Sequence, residues 1–150
     1  DWSSDVCSSD LDNIDNLGII NSYGQENLTN ITEKEYKTYL NKFFTGLLNF
    51  IEKIYFDEKT PENHNIYIKN LKSKEINIYK DGKWIIQNRD EIIEDIMEKS
   101  INILNTKCEE YEDNNQIDYK IVDNFREFQF NYEDNEAQKN TKKDIIDIIH

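Results

Sequence analysis

The hydrophobic period of this chain changes twice, and those two changes bound what it can fold into. Tyr36, Leu40, Phe43, Phe44, Leu47, Leu48, Phe50, Ile51 and Ile54 recur three and four apart, the spacing of one helical face. Thr32 and Glu35 stand at capping-box spacing, and Ile31 with Tyr36 at the spacing of a hydrophobic staple, so a long helix starts there. Residues 57–61 end it, because Pro61 disfavours a helical residue ahead of it. The period then falls to two. Residues 65–68 read as a short strand and 75–79 as a clearer one. Trp84-Ile85-Ile86-Gln87 is the return strand. Asp81-Gly82 between the last two supplies a hairpin turn, since both residues tolerate positive φ. Asn88 with Glu91 repeats the capping spacing and opens a second long helix through about Tyr111. Ile117, Ile121, Val122, Phe125 and Phe128 suggest a third helix, and Ile145, Ile146 and Ile149 a fourth. Three short strands need cover, which the helices must give. The expected fold class is α+β: a long helix, a three-stranded antiparallel meander, then two or three helices.

The ends read differently from the middle. Asp1-Trp2-Ser3-Ser4-Asp5-Val6-Cys7-Ser8-Ser9-Asp10-Leu11 resembles a sequencing adapter translated in frame, so residues 1–11 are set aside as an artefact. Residues 12–30 lack a sustained period, hold Gly18 and Gly24, and read as a linker or lead-in with a short apolar anchor at Leu17, Ile19 and Ile20. Residues 31–150 are expected to form one α+β domain. The adapter junction, and a last helix reaching His150 without a cap, make it a fragment cut at both ends of the native protein.

Charge narrows the function classes. The chain carries −13, and removing Asp1, Asp5 and Asp10 with the adapter leaves −10. A face that tracks phosphates must supply lysine and arginine to displace counterions. The overall balance therefore argues against direct nucleic-acid binding by this segment, a local basic patch excepted, and for a protein partner or self-association. No apolar run approaches the ~20 residues of a membrane span. Without Cys7, Cys108 has no intrachain disulfide partner, in keeping with a reducing compartment. Asn27-Leu28-Thr29 and Asn30-Ile31-Thr32 fit the glycosylation pattern, but asparagine is so frequent here that chance supplies such matches. The wealth of Ile, Asn, Lys, Tyr and Phe beside a single alanine, Ala137, points to AT-rich coding DNA.

Chemistry is concentrated between Asp57 and Asn65. A catalytic reading makes His64 a general base oriented by Asp57 or Glu62. The structural reading, preferred here, has Glu62, Asn63 and Asn65 satisfying backbone groups of a tight turn, with His64 as a hydrogen-bonding pin. As a binding set, Asn63, His64, Asn65 and Trp84 are the candidates. Trp84, straight after the hairpin turn, is expected to plug the sheet against a helix, with ligand stacking as the alternative. No metal site is expected: His64, His150 and Cys108 have no paired spacing. The acidic run Glu109-Glu110-Tyr111-Glu112-Asp113 lacks calcium-loop spacing and reads as a solvated helix end. No glycine-rich phosphate loop is present, and no cofactor is expected. Cys108 occupies an apolar helix position as a small hydrophobe.

Ile54-Tyr55-Phe56, Pro61-Glu62-Asn63-His64-Asn65-Ile66 and Tyr79-Lys80-Asp81-Gly82-Lys83-Trp84 together resemble the C-terminal domain of a group of uncharacterised giant DNA virus proteins. That pattern has a helix ending in Ile-His-Phe-Asn, then Pro-Glu-Asn-His-Asn, a strand pair and a Tyr-Asp-Gly-x-Lys-Trp hairpin. The likeness spans roughly residues 23–150. This chain departs from it at Tyr55, which stands where the pattern has histidine. The resemblance implies an upstream zinc finger or KilA-N-like DNA-binding domain and an address in the host cytoplasm or nucleus. It implies a context and no reaction. Three readings follow: a non-enzymatic accessory domain of a viral DNA-binding or regulatory protein, a metal-dependent hydrolase or nuclease using the His64 loop, or a domain that binds a host factor.

Overall fold

Thr32 opens the first helix as its spacing predicts. Its Oγ1 accepts the Glu35 amide at 3.1 Å while Glu35 Oε1 accepts the Thr32 amide at 2.9 Å, so two end donors are satisfied reciprocally. In this computed structural model, which describes residues 19–132 and 135–150, the helix α1 runs Glu33–Tyr55 but is not one rod. At Phe43 the backbone takes φ 57° and ψ −118°, and the two halves fold back side by side. Tyr36 and Tyr39 meet Phe50 with ring centroids 5.7 and 5.6 Å apart, and Lys53 reaches Glu35 at 3.1 Å. A straight helix would hold Glu35 and Lys53 roughly 27 Å apart. The long helix read from the sequence is therefore right in its ends and in most of its buried face, Phe44 being exposed, but it is a hairpin of two short helices. Gly46 permits the contact: a Cβ there would lie 1.9 Å from the Tyr39 carbonyl oxygen.

The adapter-like residues 1–11 and the anchor residue Leu17 lie outside the described residues. Residues 19–30 are no free linker. The Tyr23 amide donates to the Tyr79 carbonyl at 2.7 Å, its hydroxyl donates to Asp95 at 2.6 Å, and its ring is buried. Ile19 is 72% exposed, so the anchor of this lead-in is Tyr23 and not Ile19.

The sheet has the expected order, β1 (Ile66–Tyr67), β2 (Glu75–Lys80) and β3 (Lys83–Asn88), all antiparallel. Asp81 and Gly82 both have positive φ, 52° and 85°, which makes the two-residue turn type I′. Register pairs Ile66 with Ile78 and Ile78 with Ile85, and these residues with Ile76 form the inner face. The period of two then sends Tyr67, Tyr79, Trp84 and Ile86 to the opposite, solvent side. Trp84 thus does not plug the sheet against a helix. It is half-buried on the outer face, because Ile85 takes the inward place next to it.

Asn88 Oδ1 accepts the Glu91 amide at 3.0 Å and starts α2 (Arg89–Asp113). Ile93, Ile96, Met97, Ile101, Leu104 and Cys108 line its buried side, and burial pushes the Cys108 thiol above its ordinary pKa. The helix α3 (Tyr119–Tyr132) buries Val122, Phe125 and Phe128, and α4 (Asn135–Ile149) buries Ile145 and Ile149. The core lies between the folded α1, the inner face of the sheet and the helices α2 to α4. Among the described residues no helix is long and apolar enough to cross a membrane.

Gly46→Ala forces the Tyr39 and Gly46 backbones apart. Overpacking of this kind costs about 1–3 kcal/mol or more, and urea unfolding is expected to show at least that loss. An alanine variant as stable as the parent would mean that the two halves of α1 do not touch there.

Candidate functional site

The segment from Asp57 to Asn65 turns the end of α1 into β1, and most of its hydrogen bonds serve that turn or the lead-in, with Thr60 Oγ1 and Asn65 Oδ1 buried without a partner among the described residues. Pro61 fits the first position of a 3-10 turn (Pro61–Asn63), where an amide proton would find no partner. The Thr60 amide donates to the Asp57 carbonyl at 3.1 Å and the His64 amide to the Pro61 carbonyl at 3.1 Å. His64 itself, at φ −80° and ψ 69°, is the centre of an inverse γ-turn closed by the Asn65 amide on the Asn63 carbonyl at 2.8 Å. Its ring reaches back. Nε2 lies 2.9 Å from the Asp57 carbonyl oxygen, which can only accept, so that nitrogen carries the proton.

The asparagines hold the lead-in. Asn63 is 1% exposed; its Oδ1 accepts the Asn27 amide at 2.8 Å and its Nδ2 donates to the Asn27 carbonyl at 2.7 Å. This side chain pairs with Asn27 as a neighbouring strand would. Asn21 Nδ2 donates to the same Oδ1 at 3.1 Å, and the Glu62 carbonyl accepts the Asn21 amide at 2.8 Å. Asn65, wholly buried, donates through Nδ2 to the Asn21 carbonyl at 3.0 Å and to Glu26 at 2.9 Å. Glu62 accepts from the Asn27 side chain at 3.2 Å.

The carboxylates read as catalytic partners of His64 are engaged elsewhere. Asp57 Oδ1 accepts the Lys59 amide at 3.1 Å, and Oδ2 lies 3.2 Å from Lys53 Nζ and 3.3 Å from Asn30 Nδ2. The Lys59 amide, helped by Lys53, holds the Asp57 carboxyl below its ordinary pKa. Lys53 also joins Glu35 of the capping box; the Thr32 amide first, and Lys53 as well, lower the Glu35 pKa. What His64 touches is the Asp57 backbone. Sequence proximity brought Asp57, Glu62 and His64 together as neighbours in space without aiming either carboxylate at the imidazole. A cleft of about 470 Å³ opens between α2, α3 and α4, lined by Met97, Ile101, Tyr132 and Lys142 among others, and no residue of the turn reaches it. Among the described residues no three His, Cys, Asp or Glu side chains are placed to hold a metal ion.

Trp84, the remaining candidate, belongs to a second place. Its ring meets Tyr67 and Tyr79 edge-on, with centroids 5.1 and 5.4 Å apart, across all three strands. Tyr67 and Tyr79 were missed from the sequence as site residues. The alternation through Ile66-Tyr67 and Ile78-Tyr79 was the signal, since it places both on the Trp84 side. Compared with family models, curated proteins and solved structures, the chain matches none of them.

Asn63→Ala leaves both backbone groups of Asn27 without their partner, and the expected loss is about 1–3 kcal/mol or more, measured by denaturant unfolding. A negligible loss would show that the lead-in is held by other contacts. The Glu35 and Asp57 carboxyls bind protons more weakly folded than unfolded. Their stabilisation is complete above the ordinary carboxylate range, near pH 4 to 4.5, and is lost as pH falls through the folded values. Lys53→Gln is expected to lower stability at neutral pH and to make the fall between about pH 5 and 3 shallower. Parallel stability–pH curves for the two proteins would refute the coupling.

Proposed function

We propose that this chain is a non-enzymatic interaction domain, an accessory part of a viral DNA-binding or regulatory protein acting inside the host cell. The observation that carries the non-enzymatic reading is that neither Asp57 nor Glu62, the two carboxylates beside His64, is aimed at its ring. A general base needs a free lone pair within reach of a substrate proton and a group that orients the ring. Here Nε2 donates to the Asp57 backbone and Nδ1 keeps its lone pair, but the neighbouring carboxylates serve Lys53, Asn30, Asn27 and the Lys59 amide, and no residue of the turn lines the cleft between the helices. The dense polarity of the segment is thus accounted for by the turn and by the lead-in it holds. The viral context rests on the resemblance of the Pro61–Asn65 and hairpin motifs. An interaction role draws further support from the exposed Tyr67 and Ile86 on the outer side of the sheet, which also suit a domain that captures a host component.

The test is a paired assay. The purified chain is incubated with nucleic-acid substrates and magnesium or manganese, beside His64→Ala, and the thermal unfolding of both is recorded. We expect no cleavage by either protein and a loss of about 0.5–1.5 kcal/mol in the variant, the net worth of one part-buried hydrogen bond, since the Thr60 amide still pairs the Asp57 carbonyl. Cleavage by the parent that a folded His64→Ala variant lacks would sink the reading in favour of a metal-dependent nuclease.

A further inference from the structure

The sheet segment has a charge unlike that of the rest of the chain. Residues 66–88 hold five lysines (Lys69, Lys72, Lys74, Lys80 and Lys83) against two carboxylates, Glu75 and Asp81. That segment is therefore +3 in a chain of −13, which leaves −16 to the remainder. All five lysines are exposed, and none takes part in an ion pair among the described residues. Elsewhere in the protein Lys53, Lys99, Lys107 and Lys142 each have a carboxylate partner. Lys34, Lys42, Lys59 and Lys120 are likewise outside these ion pairs, so what sets the sheet segment apart is its net positive charge.

The placement of the sheet segment's lysines follows the topology. Lys69, Lys72 and Lys74 lie in the connection from β1 to β2, at one end of the strands, and Lys80 and Lys83 flank the hairpin turn at the other. Lys80 and Lys83 are direct cross-strand partners beside the turn, an arrangement of like charges that destabilises a sheet unless an anion lies nearby; by alternation they leave the ladder on the Ile78–Ile85 side, at the rim of the aromatic face. One step along the same ladder is the pair Tyr79–Trp84, and Tyr67 continues the aromatic strip onto β1. Tyr67 is 41% exposed and Ile86 61% exposed, so a large apolar and aromatic area faces water between two lysine-bearing ends. A six-residue strand sets those ends roughly 20 Å apart.

We propose that this face binds a short stretch of single-stranded nucleic acid. Bases stack on Trp84 and the two tyrosines, and the lysines at both ends take the phosphates, the combination that single-strand binders use. The strong negative charge of the whole chain does not forbid it. At physiological ionic strength charges are screened beyond about 8 Å, so a strand held on this face feels the local lysines far more than distant carboxylates. The same balance disfavours a long duplex, which would extend past the sheet and run beside the acidic helices. An acidic peptide would satisfy the lysines but gives the three aromatic rings no π-faced partner. The proposal rests on the binding role given above and names its partner, against the expectation drawn from net charge alone.

The experiment uses the full chain with fluorescein-labelled oligo(dT), followed by anisotropy across a salt series, with an oligo-glutamate peptide as the second probe. Binding is expected at low salt, weakening with a log–log slope of roughly −2 to −3.5 for three to five phosphate contacts. Trp84→Leu, which keeps an apolar side chain but removes the stacking surface, is expected to weaken binding about tenfold. Lys80→Gln with Lys83→Gln is expected to lower the slope by about 1.4. Circular dichroism checks that each variant is folded, and Tyr67→Ala at an exposed position carries the stacking test if Trp84→Leu is not. No anisotropy change, or binding that the aromatic variants leave intact, overturns the proposal. Equal binding of oligo-glutamate with the same variant pattern also overturns it, in favour of an acidic protein partner. Cleavage of the bound oligonucleotide would instead defeat the non-enzymatic reading while leaving this binding face in place.

Discussion

The approach of Gly46 to the Tyr39 carbonyl is the contact on which the rest of this structure hangs. It lets α1 double back at Phe43, and the doubling brings Glu35 beside Lys53. Lys53 then has two carboxylates to bridge, one at the start of α1 and one, Asp57, just past its end. Asp57 offers its carbonyl to Thr60 and His64, which shapes the turn, and the turn positions Asn63 and Asn65 to hold the lead-in. The strain of a positive φ at Phe43 costs on the order of 1–3 kcal/mol. Burial of Tyr36, Tyr39, Leu47, Phe50 and Ile51 between the halves offsets it, since each fully buried large apolar side chain contributes about 1.5–3 kcal/mol.

The polar segment after α1 illustrates how a constellation that invites a catalytic reading can be structural. Its side chains are rich in hydrogen-bonding groups because the lead-in crosses it without regular secondary structure of its own. Those backbone groups must be paired when buried, and asparagine is the side chain that can mimic a peptide, offering one donor and one acceptor at strand-like spacing. Asn63 does this with Asn27 in both directions. The dense polarity that suggests chemistry is here a substitute for a missing strand.

The sheet divides its labour between two faces. Isoleucines at positions 66, 76, 78 and 85 meet the helices, the aromatics are turned outward, and the lysines sit at the two ends of the strands. The inner face secures the sheet, so the outer one is not needed for cover. Trp84 therefore stays half-buried against Tyr67 and Tyr79 on the outer side, and the charge of residues 66–88 is opposite in sign to that of the chain as a whole.

Much of the fold was legible in local patterns, because caps, turns and periodicity act over a few residues. Thr32 with Glu35, Asn88 with Glu91 and Asp81-Gly82 each specify their own geometry, and the α+β order follows from them. Thr45-Gly46 inside a strong helical pattern was a signal for the break in α1, but the pattern could not say that the halves would fold together. The role of the Pro61–Asn65 turn was legible in kind: its side chains were expected to bond backbone, without the lead-in being known as their partner. Trp84 was misplaced because a lone aromatic after a turn does not reveal which face is inward. That choice is made by the register that sets Ile78 opposite Ile85 and by the helices that cover them. Sequence alone determined the elements, through interactions a few residues long. The tertiary structure decided which carboxylate meets which cation, which sheet face is buried and where the basic charge collects, because those depend on residues far apart in the chain meeting in space.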